Sequence, residues 1–542
     1  MCTFREIGDL GQTALQDSRS RHCDVLKAAR AFRNRLFSGI GGSYEAAAKL
    51  LHLSEGVRLT TLICYRKSGS FFDVEFVGLR RAVRDSSMWL SSAHDNPPAL
   101  RYLFLMLRLR RTVASFLCGA MLLTLSGPPA FAYSVLTHEQ IIDLAWEPQL
   151  KPLLLAKYPN TTPEQLTEAH AYAYGGSVVQ DMGYYPFGNK RFSEMVHYVR
   201  SGDFVANMLK DAQDVNEYAF ALGALAHYVS DIEGHPYVNR AVAIDYPKLE
   251  RRYGQSVTYE DDPKAHIRTE FGFDVAQVAK QRYAPQSYHD FIGFKVSKPL
   301  LERAFRETYG IELKDIFTTL DLAIGTFRRS VSSIIPEMTK AALLTQNNVN
   351  VREKNDAAKR QYLYYLSRAD YEKEWGKQYE RPGFFARVLA FLFKLLPKVG
   401  PLKVVAFKVP SPQTEDMYLK SLDATIADYK KRLAELGQQG DPSLKDVNFD
   451  TGKPTSAGQY KLTDDSYAFL LGKLADRHFD LLAPSVRDDI LAFYSNLQAP
   501  IATKRHKEDW AKLQQRLQEL KQAPTVTPES VSNATAQGRG AQ

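Results

Sequence analysis

The chain has 542 residues and a formal net charge of +9. Fifteen basic against ten acidic side chains in residues 1–105, and three arginines in 106–132, account for nearly all of that excess, leaving about +1 over 133–542. The basic balance is therefore no argument for nucleic acid. All four cysteines (Cys2, Cys23, Cys64, Cys118) precede residue 133, which excludes a disulfide framework for the remainder.

Residues 1–105 hold twelve Arg against three Lys and no sustained helical or strand period. Residues 106–132 then give a basic stretch (Arg108, Arg110, Arg111), an apolar run and Ala130-Phe-Ala132. That is the order of a secretory leader with an A-x-A cleavage site, and the run is short for a membrane span. The expectation is that translation starts at or near Met106 and that 1–105 is an untranslated or non-native upstream extension. Cleavage after Ala132 would free Tyr133 as amino terminus of a protein exported to the periplasm or secreted.

From 133 on, turn and breaker signals separate helical patterns at 138–145, 163–178, 211–228, 263–282, 297–309 and 313–345. With no period-two strands, the class is mainly α. We read 133–345 as one helical domain, 346–521 as a C-terminal helical region of unassigned role, and 522–542 as a disordered tail. Within the C-terminal region, 382–408 interleaves Phe and Leu with sparse Lys and Arg. That suits either a buried helix or a membrane-surface contact, the buried reading being the commoner. The stretch from Asp450 to Tyr460 has loop chemistry compatible with a small hairpin.

The chemistry-bearing residues concentrate between 138 and 270: His138, Asp181, His197, His227, Asp231, His235, His266 and Glu270. His227 with Asp231, and His266 with Glu270, are each four apart, which on a helix stacks both side chains on one face. The first pair follows an almost wholly apolar run, 218–226, so neither member can stay unpaired without a cost of several kcal/mol. Imidazole and carboxylate are the usual nitrogen and oxygen ligands of catalytic zinc, and two or three such ions together make a phosphoester-splitting site. His170 reads as a structural or ligand-orienting residue, Glu233 as a solvated acid, and His289, His478 and His506 as surface histidines.

Residues 133 to about 280 resemble the zinc-dependent phospholipase C family. The likeness rests on Tyr133, on Thr137-His138, on Gly175-Gly176 followed by Asp181, on His197-Tyr198, on Gly223-Ala-Leu-Ala-His227-Tyr-Val-Ser-Asp231 and on His266-x-x-x-Glu270. It implies an all-helical bundle around zinc. Asp181, His197, His227 and Asp231 would hold a first ion, and His235, His266 and Glu270 a second. The α-amino group and carbonyl of Tyr133 would hold a third with His138 and a bridging Asp231. Two positions depart from the family pattern: Tyr133 stands where the family has Trp, and the family's histidine six residues after the bridging acid is replaced by His235, four after it. Pro236 beside it suggests a helix break, so two ions or three are both expected.

The activity implied is hydrolysis of a phosphodiester, foremost of phospholipids, with Asp181 orienting or deprotonating the attacking water. The alternatives are a zinc-dependent single-strand nuclease of similar ligand string, in which nucleic acid would be the partner, and a zinc-binding relative without turnover. Tyr184, Tyr185, Phe187 and Tyr198 could grip either acyl chains or bases.

Overall fold

Capping residues and prolines decide where the helices begin. The structure, a computed structural model, describes residues 135–280, 282–345 and 407–526. The leader, the extension before it, Tyr133, residues 382–406 of the apolar segment and the tail beyond 526 lie outside the described residues.

Helix α1 (Val135–Ala145) runs through a π turn (Trp146–Leu150) into α2 (Lys151–Lys157). Helix α3 (Pro163–Ser177) opens with a reciprocal cap: the Thr162 hydroxyl accepts the Gln165 N–H at 3.3 Å and the Gln165 side chain accepts the Thr162 N–H at 2.9 Å. A 3₁₀ segment (Val179–Tyr184) leads to α4 (Lys190–Tyr198) and α5 (Ser201–Asp211). Next come α6 (Val215–Asp245), α7 (Pro247–Tyr253), α8 (Pro263–Ala279), α9 (Gln286–Ile292), α10 (Lys298–Tyr309), α11 (Leu320–Arg329) and α12 (Ile335–Thr345). The C-terminal region supplies α13 (Pro412–Gln439), α14 (Lys461–Asp476), α15 (Pro484–Phe493) and α16 (Lys507–Gln522). Between α13 and α14 a two-stranded antiparallel hairpin pairs Val447 with Pro454 and Asn448 with Lys453. The class is all-helical, as the pattern of periods predicts. Among the described residues no helix is long and apolar enough to cross a membrane.

The 31-residue α6 is the spine. It lies against α3 with almost no space between the backbones, because glycines occupy the crossing: a methyl group on Gly176 would stand 1.9 Å from the Phe220 carbonyl oxygen. Helix α13 packs on another side of α6, its Tyr429 hydroxyl donating to the Leu222 carbonyl at 2.9 Å. One apolar core takes in residues from Val135 to Ala523, so the described C-terminal helices share it with the helices that carry the histidines.

Several boundaries differ from the sequence expectation. Helix α6 starts at its Asp214 cap, whose carboxylate accepts the Asn216 and Glu217 N–H groups, and runs through Pro236 to Asp245 instead of stopping near Tyr228. Pro236 is exposed, and the carbonyl it leaves without a helical partner, that of Ile232, faces the hairpin turn at Gly452. Residues 313–345 are not one helix: a 3₁₀ turn (Leu313–Asp315), a gap and a π turn (Ser330–Ile334) divide them. The short helices α4 and α5 went unread, being too brief for their periodicity to stand out.

Candidate metal centre

Four helices and one 3₁₀ turn bring the eight candidate side chains together: His138 from α1, Asp181 from the 3₁₀ segment, His197 from α4, His227, Asp231 and His235 from α6, His266 and Glu270 from α8. None is more than 3 % exposed. Their donor atoms form three sets in which every atom lies within 4.8 Å of the others: His138, Asp181 and His227; His197, His227 and Asp231; His235, His266 and Glu270. Because α6 continues past Pro236, His227, Asp231 and His235 share one face of it.

The distances are those of groups facing a common centre. His197 Nε2 lies 3.5 Å from Asp181 Oδ1, 3.4 Å from Asp231 Oδ2 and 3.4 Å from His227 Nε2. His227 Nε2 is 3.2 Å from Asp231 Oδ2, and His138 Nε2 is 3.8 Å from its Oδ1. On the other side, His266 Nε2 is 2.8 Å and His235 Nε2 3.9 Å from Glu270 Oε1. The resemblance set His138 with Asp231 and Tyr133; His138 also shares a donor set with Asp181 and His227, while Tyr133 is outside the described residues.

The opposite ring nitrogens fix the tautomers. Nδ1 of His197 is 2.7 Å from the Ser193 carbonyl, that of His227 is 2.9 Å from the Ser177 carbonyl, and that of His235 is 2.8 Å from the Phe449 carbonyl. Ser230 gives its proton to the His227 carbonyl, so its oxygen accepts from His138 Nδ1 at 3.0 Å. Since a carbonyl only accepts, Nδ1 must carry the hydrogen in each. In the neutral ring Nε2 is then a lone pair aimed at carboxylate lone pairs, a clash that a proton or a metal cation resolves.

The acids tell the same story. No hydrogen bond reaches either oxygen of Asp181, Asp231 or Glu270 among the described residues. Stranding three carboxylates in a dry interior would cost several kcal/mol each. Burial pushes Glu270 well above the usual carboxylate range and lifts Asp181 too. Burial would also raise Asp231, but His227 and its neighbours hold it well below. His197 is pulled down by burial and yet raised to about 10 by Asp181 and Asp231, whereas burial keeps His138 and His266 well below the ordinary imidazole value. Protons alone would satisfy only part of this set. Carboxylate oxygens that receive no hydrogen bond among the described residues and face imidazole Nε2 atoms fit a cluster of divalent ions.

A further layer holds α1 in place. The Leu136 N–H and the Thr137 hydroxyl donate to Asp274 of α8 at 3.0 and 2.7 Å. Asp143 takes the Tyr174 hydroxyl and lies 3.3 Å from both His170 Nε2 and His289 Nε2, and His289 Nδ1 is 3.1 Å from Glu139. His170 also stacks on Trp146 at 3.9 Å. His289 is thus a buried, doubly paired residue and not a surface one, although His478 and His506 are exposed. Glu233 is half-buried, and burial raises its carboxyl.

Sequence reasoning missed the contribution of the hairpin. Phe449 packs its ring 5.1 Å from that of His197, its N–H donates to the His197 carbonyl at 3.2 Å, and its carbonyl receives His235. Asp450 Oδ1 lies 3.4 Å from His235 Nδ1. Only the loop composition was visible, and nothing in it points back to α6. Of the aromatics, Tyr184 sits 6.2 Å from the His197 ring and Tyr259, unremarked before, 5.9 Å from that of His266. Tyr198 is committed to Asp450, Tyr185 is buried, and Phe187 is half exposed.

Comparison with known proteins agrees with this geometry. Residues 137–318 match the family model described as zinc dependent phospholipase C. No curated protein and no solved structure matches the chain. The segment that carries all eight ligand candidates therefore belongs to the zinc-dependent phospholipase C family.

Proposed function

We propose that this chain is an exported hydrolase that cleaves phospholipids at the phosphodiester bond, using two or three zinc ions. The observation that carries the reading is the set of buried carboxylate oxygens, without hydrogen bonds among the described residues, that face imidazole Nε2 atoms inside the segment that matches the family. Asp181, His197, His227 and Asp231 would hold one ion, His235, His266 and Glu270 another, and His138 with the freed terminus at Tyr133 a third. Bound zinc supplies a Lewis acid for the phosphoryl oxygens and makes a water acidic enough to attack near neutral pH.

The chain's own groups do the rest. The Asp181 carboxylate, with no hydrogen bond of its own among the described residues, is the candidate to orient the attacking water and accept its proton. The backbone carbonyls of Ser177, Ser193 and Phe449 keep three imidazoles in one tautomer, so that Nε2 stays available. Deep burial excludes bulk water, which strengthens every charge interaction there. Export is read from the leader pattern of 106–132, and cleavage would free an amino group that an uncut precursor holds as an amide.

The test is phosphatidylcholine hydrolysis by protein beginning at Tyr133, assayed as isolated, after chelation and after zinc is restored. Release of phosphocholine that disappears and returns with zinc is expected. Zinc-dependent cleavage of single-stranded nucleic acid without lipid hydrolysis would replace this reading by the nuclease, and zinc uptake with neither activity would leave a binding protein.

A further inference from the structure

His235 follows Asp231 by four residues on α6, and its ring is aimed as a ligand. Two atoms of the hairpin account for that aim. The Phe449 carbonyl and Asp450 Oδ1 lie 2.8 and 3.4 Å from His235 Nδ1. Asp450 is itself held from three directions. The hydroxyls of Tyr198 (at 2.8 Å) and Tyr460 both donate to its Oδ2, leaving Oδ1 toward the imidazole, and its carbonyl accepts the Asn239 side-chain amide at 2.8 Å. At 2 % exposure this carboxylate is buried and fixed, with its second oxygen occupied. Asn239 is one turn beyond His235 on α6, so the same helix that presents the histidine also locks the loop that orients it.

A carboxylate against the outer N–H of a ligating imidazole fixes its tautomer and makes the inner nitrogen a better donor. We infer that Asp450, together with the Phe449 carbonyl, is the positioning residue that turns His235 Nε2 toward His266 and Glu270, making the hairpin a working part of the zinc centre. The hairpin lies outside 137–318, so the C-terminal region is more than an appendage to the family segment. This rests on the zinc-hydrolase reading above.

The experiment uses the processed chain, stripped of metal and titrated with zinc against a chromophoric chelator, with cobalt(II) as spectroscopic substitute. In Asp450→Asn one equivalent of zinc should weaken about 10- to 100-fold while the others keep their affinity, and the cobalt d–d bands should change. His235→Ala should lose that same equivalent, and the double variant should lose no more than His235→Ala alone. Tyr460→Phe, which keeps the carboxylate and removes one of its two phenols, should shift the same equivalent by less, and it carries the test if Asp450→Asn does not fold. Unaltered zinc affinity and cobalt spectrum in Asp450→Asn and Tyr460→Phe would overturn the proposal. So would equal weakening of every equivalent alongside a fall in metal-free thermal stability, which marks a merely structural residue. A parent protein that takes up no zinc would overturn the hydrolase reading itself, a result distinct from either.

Discussion

Gly223 faces the carbonyl of Ala173 so closely that a methyl group added there would lie 2.1 Å from its oxygen. The obstructing atoms are backbone and cannot swing aside, so Gly223→Ala must push α3 away from α6. Overpacking of this kind costs about 1–3 kcal/mol and occasionally more. The Ser177 carbonyl that orients His227 would move with α3. Urea unfolding followed by circular dichroism should show the loss, and zinc titration of the folded variant should show weaker binding.

Chelation should destabilise the whole fold, since the candidate ligands come from α1, α4, α6 and α8 and the segment before α4. Each site filled at free zinc 100-fold above its Kd adds about 2.7 kcal/mol to the folded state. Thermal unfolding with and without EDTA should differ by several degrees, and zinc should restore the difference. Identical melting curves would show that the centre holds no metal.

Asp181→Asn keeps the size of the side chain and removes its charge. If Asp181 takes a proton from the attacking water, kcat should fall about 10²- to 10⁴-fold. Far-UV circular dichroism should stay that of the parent, because Asp181 side-chain oxygens support no hydrogen bond among the described residues.

His289 gives a pH signature separate from the metal ligands. Burial opposes its charged form, but Glu139 and Asp143 outweigh burial and raise it to about 10. Its folded value is thus above the unfolded value of about 6.5. The stabilisation is full below pH 6.5 and is lost as pH rises toward 10. The stability difference between the parent and His289→Gln should therefore shrink by a few kcal/mol, roughly, between pH 6.5 and 10. A difference that stays flat across that window would refute the buried ion pair.

The helical class and the two His–acid pairs were legible because both are written at short range. His227 with Asp231 and His266 with Glu270 need only helical spacing to meet, and an apolar run around the first pair announces burial. What could not be read depends on contacts between distant segments. His289 sits among Gln286, Ser287 and Asp290, a polar neighbourhood, and is buried only because Glu139 and Asp143 of α1 come to it. Pro236 looked like a terminator because the turn at Gly452, which lies beside the Ile232 carbonyl, is more than 200 residues further along the chain. Asp450 carries no local pattern at all, and its role depends on where Tyr198, Tyr460 and His235 lie in space.

One peptide unit ties this together. The amide of Phe449 is bonded to the His197 carbonyl while its own carbonyl holds the ring of His235, so a single residue laces α4 to α6 across the centre. During synthesis the ribosome must therefore deliver the hairpin, long after the last candidate ligand at Glu270, before that lacing can close. Contacts so far apart along a chain form slowly. On the proposed zinc reading, metal capture would accordingly be a late event, completed only once the hairpin has joined the helices.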